Sequence, residues 1–361
     1  MARFRVQTTT EQVTAHLRGE LIRGTWSGQM PGSGGLAADL GVGHGTIDSA
    51  LERLEKEGLL VPQGAGRRRR IVVPDSQSPP SLRIRILLYQ RSDRQLHYMV
   101  DLIHQLREAG HAVNFSDQSL LELKMDPDRV RCHVEASGGD AWIVGSGSRA
   151  VLEWFARGRT PVFALSGRRR GLGIAGGGPD KITVQQELVR RLVSLGHRRI
   201  VILAREERRK PRPATFEQAF LDRLRAHGIT TGPFNLPDWD ESPGDFQRCL
   251  NSLFGHTPPT ALFIAEMPFF VAAVHHLASL GIAAPRDVSL ICGDPDPAFE
   301  VCLPTVAHIR WDSRPLVRRI LKWADNVARG KEDHRQRSLR ATFVDGGTVG
   351  PAAGRARTVT G

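Results

Sequence analysis

The chain has 361 residues, which at about 100–200 residues per domain predicts two or three domains. Hydrophobic residues make up 40% and charged residues 24%, a globular balance that excludes wholesale disorder. Against 38 Asp and Glu stand 50 Lys and Arg, a net charge of +12, so a polyanion such as nucleic acid is the first expected partner.

No apolar run approaches the roughly 18–20 residues that span a bilayer, so no membrane-spanning helix is expected. The first ten residues carry positive charge without an apolar core, unlike a secretory signal. Cys132, Cys249, Cys292 and Cys302 form no CxxC pair, and reduced thiols in a cytoplasmic chain are expected.

Val13, Leu17, Leu21 and Ile22 recur at helical spacing, with Gly24 closing that helix. Leu36, Ala37 and Leu40 predict a short second helix that stops at Gly41. A third starts near Thr46, carries Ile47, Ala50, Leu51 and Leu54 on one face, and stops at Gly58. Leu59–Val61 and Arg70–Val73 flank Pro62-Gln-Gly-Ala-Gly-Arg67, which predicts a two-stranded wing with a glycine turn. Residues 1–73 therefore read as one domain. Residues 74–81, rich in Pro and Ser, read as an extended linker.

Beyond the linker the pattern alternates between strand and helix. Ile84–Tyr89 is a strand and 95–109 an amphipathic helix. Further strand-like runs fall at Ala112–Phe115, Ala141–Val144, Pro161–Leu165, Arg199–Leu203, Ala261–Ala265 and Val288–Cys292. Helices are predicted over 183–195, 214–227, 268–280 and 312–328. Such alternation implies right-handed βαβ units and parallel sheets covered on both faces. About 270 residues exceed what one sheet usually holds, so two lobes are expected over 82–351. Residues 352–361 read as a disordered tail.

Residues 10–73 resemble the winged helix-turn-helix of GntR-type regulators. The resemblance rests on Leu21-Ile-Arg-Gly-Thr-Trp26, Met30-Pro31, Leu36-Ala-Ala-Asp-Leu-Gly-Val42, Thr46-Ile47, Ala50-Leu51 and Leu54-Glu-Lys-Glu-Gly-Leu-Leu60. It implies a small α+β reader whose third helix meets the DNA major groove, with His44 and Thr46 at its start. Gly66, Arg67, Arg68 and Arg69 at the wing suit phosphates or a narrow minor groove. The chain departs from the family at Gly32-Ser33-Gly34 and at Gly43-His44-Gly45-Thr46-Ile47-Asp48. Two expected cations are lost there, and Asp48 repels phosphate.

Residues 82–351 resemble the effector domain of LacI/GalR-type regulators, a two-lobed α/β periplasmic-binding-protein-like (type I) domain. Leu195-Gly-His-Arg-Arg-Ile-Val-Ile-Leu203 and Gly281-Ile-Ala-Ala-Pro-Arg-Asp-Val-Ser-Leu290 carry the resemblance. It implies ligand contacts at Asp180, at Arg212 of Arg212-Pro-Ala-Thr-Phe216, and at Asp294. Ligands of open α/β sheets sit at the carboxyl ends of strands, which adds Tyr89, Ser146 and Arg205 as candidates. Glu266-Met267-Pro268 stands where the family has Asn-Asp, and Asp345-Gly346 replaces an arginine. Glu266 is counted among the candidates for that reason.

Gly171-Leu-Gly-Ile-Ala-Gly176 matches GxGxxG, but Ser166–Arg170 separates it from the preceding strand and no helix opens directly after it. A dinucleotide site needs both neighbours. No GxxxxGK[ST], HExxH or GxSxG occurs, and no cofactor or metal is expected. The combined expectation is a cytoplasmic, homodimeric transcriptional regulator that binds double-stranded DNA and a small-molecule effector, a carbohydrate by resemblance. Two alternatives stay open: an enzyme acting on a nucleotide or sugar, and a DNA-bound scaffold with an empty cleft.

Overall fold

The computed structural model describes residues 8–22, 25–26, 28–64, 66–72 and 81–352. Gly24, Val73, linker residues 74–80 and tail residues 353–361 lie outside the described residues. The chain divides into two compact units: residues up to Leu82 with Leu106–Ala112, and Arg83–Gln105 with Val113 onward.

The first unit opens with α1 (Thr9–Ile22), followed by α2 (Ser33–Leu40) and α3 (His44–Lys56). Thr8 and Glu11 form a reciprocal capping box at the start of α1, which satisfies two backbone donors. Gly41 ends α2 with φ at 63°, a left-handed conformation that glycine adopts without a Cβ penalty. Val42 and Gly43 complete a three-residue turn into α3. Ile47, Ala50, Leu51 and Leu54 are all fully buried, the i, i+3, i+4, i+7 stripe of an amphipathic helix. They pack with Leu17, Leu21, Met30, Leu36 and Leu60 in one core. After α3 the antiparallel strands β1 (Leu60–Val61) and β2 (Arg70–Ile71) pair Leu60 with Ile71 and Val61 with Arg70.

After the first unit's helices and hairpin the chain runs through β3 (Arg83–Leu87), a 3-10 turn at Arg91–Gln95, α4 (His97–Glu108) and β4 (Ala112–Phe115). Then come α5 (Pro127–Ser137), β5 (Ala141–Gly145), α6 (Arg149–Arg157), β6 (Val162–Leu165) and β7 (Ala175–Asp180). These strands, in the order β4-β3-β5-β6-β7, build the first lobe. The second lobe holds α7 (Ile182–Ser194), β8 (Ile200–Leu203), α8 (Glu206–Arg209), α9 (Thr215–Ala226) and α10 (Pro243–His256). It continues through β9 (Ala261–Ile264), α11 (Met267–Ser279), β10 (Ser289–Cys292) and β11 (Ala307–Trp311). Strands β8 to β10 are parallel neighbours and fully buried, with Ile200 and Ile202 in one core and Val201 and Leu203 in another. Both faces of that sheet are covered.

The chain then returns to the first lobe. In α12 (Arg314–Ala328), Trp323 meets Phe163 edge-on at 5.6 Å between ring centroids. Strand β12 (Gln336–Val344) belongs to both lobes. Gln336–Arg340 run parallel to Gly176–Asp180 of β7, while Ala341–Val344 run antiparallel to Trp311–His308 of β11. Three crossings therefore connect the lobes: after β7, after β11 and within β12. A hinge of three strands leaves one soft direction, opening and closing of the space between the lobes.

The structure assigns strands that the sequence pattern left unread. β7 is Ala-Gly-Gly-Gly-Pro-Asp, without the β-branched residues that favour a strand. Its glycines create space instead: a Cβ on Gly177 would stand 2.6 Å from Cδ1 of Leu316, so α12 packs directly on its backbone. The GxGxxG match thus ends inside a strand, and no helix opens on its glycines. β11 and β12 also escaped the pattern. β12 places the polar Gln336, Arg337, Ser338 and Arg340 around a buried Leu339 and Ala341, and Arg310 interrupts β11.

Candidate functional site

A cleft of about 1820 Å³ lies between the lobes at the carboxyl ends of their strands. Ser146 follows β5 and Ser166 follows β6; both line the cleft and both have positive φ, 52° and 61°. Left-handed backbone at non-glycine residues clusters at ligand clamps. From the second lobe, Arg205 follows β8, Glu266 follows β9 and Asp294 follows β10. Asp180 closes β7, and one of its carboxylate oxygens accepts from the Ile182 amide at 3.1 Å. Arg212 is exposed at the rim, in the loop beyond α8.

Of the seven residues expected at this cleft, six line it and one does not. Tyr89 is 2% exposed and sits behind the wall. Its ring lies 4.4 Å under the Arg205 guanidinium, and its hydroxyl donates to Glu241 Oε1 at 2.6 Å. Burial, with Glu241 alongside, pushes its ionisation far above the ordinary tyrosine range. Tyr89 is a support for Arg205.

The interior of the cleft is a network of buried ion pairs. Arg205 donates two bonds to Asp93 at 3.0 and 3.2 Å, linking β8 of the second lobe to the 3-10 turn of the first. Lys181 lies 2.9 Å from Asp294 Oδ1 and also donates to the Gly293 carbonyl at 2.6 Å. Lys181 holds the Asp294 carboxyl below its ordinary range despite burial. Arg208 lies 2.5 Å from Glu217 and 3.3 Å from Glu266. Arg168 donates to the carbonyls of Glu207, Lys210 and Arg212 at 2.7–3.0 Å, a second tie between the lobes.

Sequence reasoning missed Asp93, Arg168, Lys181, Glu207, Arg208 and Glu217. Lys181, directly next to Asp180, carried a usable signal, adjacency to a candidate. Glu207 and Arg208 lie close to Arg205, and Glu217 follows the Arg212–Phe216 segment, but no spacing marks them out, and Asp93 and Arg168 reach them only through the folded loops.

Burial pushes the Glu207 carboxyl up to about 7 and that of Glu266 up to about 6, from an ordinary value of 4.5. A raised folded value means the protonated form is favoured by folding. The stability that Glu207 contributes is full below about 4.5 and is lost as pH rises through about 7. Thermal unfolding from pH 5 to pH 8 is therefore expected to fall less steeply in Glu207→Gln than in the parent chain. An unchanged slope would mean that Glu207 ionises freely.

In the first unit, His44 and Gly45 are exposed at the start of α3 and Thr46 is half-buried. Gly66, Arg67 and Arg68 are exposed in the loop between β1 and β2. Arg69 departs from expectation: its guanidinium is paired with Glu55 of α3 and only 27% exposed. It ties the loop to the helix and is no free cation.

Among the described residues, no helix is long and apolar enough to cross a membrane, and no cluster of His, Cys, Asp and Glu is placed to hold a metal ion. Residues 189–349 match the family model of the periplasmic binding protein-like domain. Solved structures extend that likeness to the whole two-lobed unit. A LacI family transcriptional regulator from Enterococcus faecium with bound ribose is similar at a TM-score of 0.59 and 16% identity, over 74% of this chain and 98% of that one. The transcriptional regulator CelR in complex with cellobiose gives 0.59 and 17%, over 88% and 100%. The lac repressor dimer bound to operator and the anti-inducer ONPF gives 0.58 and 16%, over 77% and 99%. No curated protein matches the chain. The second unit has a two-lobed α/β periplasmic-binding-protein-like fold.

Proposed function

We propose that this chain is a ligand-responsive transcriptional regulator that binds DNA through its first unit and a sugar-like effector between its lobes. The cleft carries the reading. It sits at the carboxyl ends of parallel strands, has polar groups converging from both lobes, and spans a three-strand hinge. Ribose and cellobiose are the ligands named for two of the similar structures, which favours a carbohydrate. An effector that prefers the closed lobes shifts the hinge equilibrium by its differential affinity, and its coupling to DNA binding is reciprocal. In a homodimer, that shift would change the spacing of two reading heads against their half-sites.

For the reader itself, α2, the Gly41–Gly43 turn and α3 suit a helix-turn-helix with His44 and Thr46 toward base edges. The antiparallel pair β1 and β2 favours a winged reader of the GntR type over a bare helix-turn-helix, with Gly66, Arg67 and Arg68 at the wing.

The full chain is expected to bind duplex DNA with an affinity that falls as salt rises. In Arg67→Ala/Arg68→Ala, the slope of log K against log salt should flatten by about 0.9 for each phosphate that is no longer neutralised. Fluorescence anisotropy at several salt concentrations measures it. An unchanged slope would place the wing away from DNA. Thermal shift with hexoses and pentoses, with turnover followed in parallel, tests the cleft; turnover would favour an enzyme instead.

A further inference from the structure

Around Glu266 four carboxylates, Asp93, Asp294, Glu217 and Glu266 itself, share three cations, Arg205, Lys181 and Arg208, while Arg169 lines the same cleft outside the charges that act on Glu266. Arg205 is taken by Asp93, Lys181 by Asp294, and Arg168 is spread over three carbonyls with Glu207 at 3.4 Å. That leaves Arg208 for both Glu217 and Glu266. Glu217 is fully buried and stands closer, 2.5 Å against 3.3 Å. Glu266 is 9% exposed at its side chain; Oε1 accepts from Arg208 at 3.3 Å and Oε2 is buried with no hydrogen-bond partner, as are Glu207 Oε1 and both oxygens of Glu217, which meets Arg208 as an ion contact alone.

The charges that bear on Glu266 are Arg208, Arg205, Lys181 and Asp294, and every cation among them is engaged by another carboxylate. Buried polar atoms are almost always bonded, and an orphaned carboxylate oxygen in a cleft wall awaits a donor from outside. The surplus is one of charge as well as of hydrogen bonds. Burial pushes Glu266 and Glu207 toward the protonated form, and the neighbouring arginines only partly offset it.

We propose that the effector carries a primary ammonium group and that Glu266 is its counter-ion, so the cleft selects an amino sugar over the corresponding neutral sugar. This rests on the carbohydrate reading above. An ammonium brings the missing positive charge and three donors, whereas a hydroxyl brings one donor and no charge. The surroundings fit. Met267, Phe216 and Trp311 line the same cleft, apolar and aromatic surfaces that accept the carbon face of a sugar ring or a cation over an aromatic face. Exposed Arg170 and Arg212 lie at the rim, away from the charges acting on Glu266.

The test is isothermal titration of the full chain with glucosamine, galactosamine and mannosamine, each beside its parent hexose and its N-acetylated form. At least one amino sugar is expected to bind about ten- to a hundred-fold more tightly than both counterparts, the range of one charge-assisted bond. Glu266→Gln keeps the shape and an acceptor oxygen but removes the charge. It should bring the amino sugar down to the hexose level while the melting curve stays cooperative. A hexose that binds as tightly as its amino form overturns the ammonium proposal and leaves the carbohydrate reading intact. Binding by none of the nine overturns both. A full preference retained in Glu266→Gln overturns Glu266 as the counter-ion. The comparison of amino, neutral and N-acetylated sugars uses the unaltered chain, so a misfolded variant does not weaken it.

Discussion

Asp333→Ala is expected to destabilise the two-lobed unit by about 3–5 kcal/mol, the range for stranding one member of a buried ion pair. Asp333 lies between α12 and β12 and receives both terminal nitrogens of Arg319, at 2.6 and 3.1 Å. The two side chains are 5% and 9% exposed. Asn326 donates to the same carboxylate at 2.8 Å, and Arg319 also reaches the Arg335 carbonyl at 2.8 Å. The guanidinium lies 5.6 Å from the Phe163 ring centroid, so the cluster fixes α12 against the first-lobe sheet. Removing the carboxylate leaves a cation in that wall with one carbonyl for company.

Total stability of a domain is about 5–15 kcal/mol, so the expected loss is a large share of it. At about 2–4 °C per kcal/mol, thermal unfolding should show it plainly. The partners hold the Asp333 carboxyl below its ordinary value of 3.8. Its contribution is therefore present above that value and is lost as pH falls through the lower folded one. Arg319→Met with Asp333→Leu, which removes both charges, should recover part of the loss. Equal melting of Asp333→Ala and the parent chain at pH 7 would show that water already serves the pair.

Asp93→Ala is expected to act on the hinge. Asp93 and Arg205 belong to different lobes, and their side chains are 14% and 9% exposed. Loss of the carboxylate strands Arg205 above the Tyr89 ring, again at a cost of about 3–5 kcal/mol if nothing moves. Here something can move. Opening the lobes lets the guanidinium reach water, so part of the cost should appear as a shift toward open conformations. Small-angle scattering should report a larger radius of gyration for Asp93→Ala, and Asp93→Ala/Arg205→Met should return toward the parent value. Unchanged scattering together with unchanged melting would mean that the remaining ties, Arg168 to its carbonyl partners and Tyr89 to Glu241, suffice to hold the lobes.

The strands and helices of this chain were largely legible because their signals are local. Ile200-Val-Ile-Leu203 reads as a buried strand, and Ile47, Ala50, Leu51 and Leu54 fix the buried face of α3. β7 was not legible. Its glycines have no strand preference and depend on Leu316, far away in sequence, for the packing that makes glycine the right residue. β12 failed for another reason: half of it serves each lobe, so no single period of burial runs along it.

The candidate site divides the same way. Ser146, Arg205 and Asp294 were within reach of the sequence because each follows a legible strand, and strand ends in an open α/β sheet face the cleft; Asp180 and Glu266 were reached through the family resemblance, since the strand that Asp180 closes was not legible. Whether such a residue is free, paired or hidden was beyond it. Tyr89 satisfied the strand-end rule and yet lies behind Arg205, held there by Glu241 from the other lobe. Glu266 satisfied it too, and its meaning rests on Arg208 being drawn toward Glu217. Sequence alone determined the elements whose signal is local, such as α3 and β8, and that the ends of such strands converge, because hydrogen bonding and burial along one segment are set by near neighbours. Only the tertiary structure decided which charges are satisfied, because ion pairing depends on ångström distances between loops that the sequence places anywhere from nine to more than a hundred residues apart.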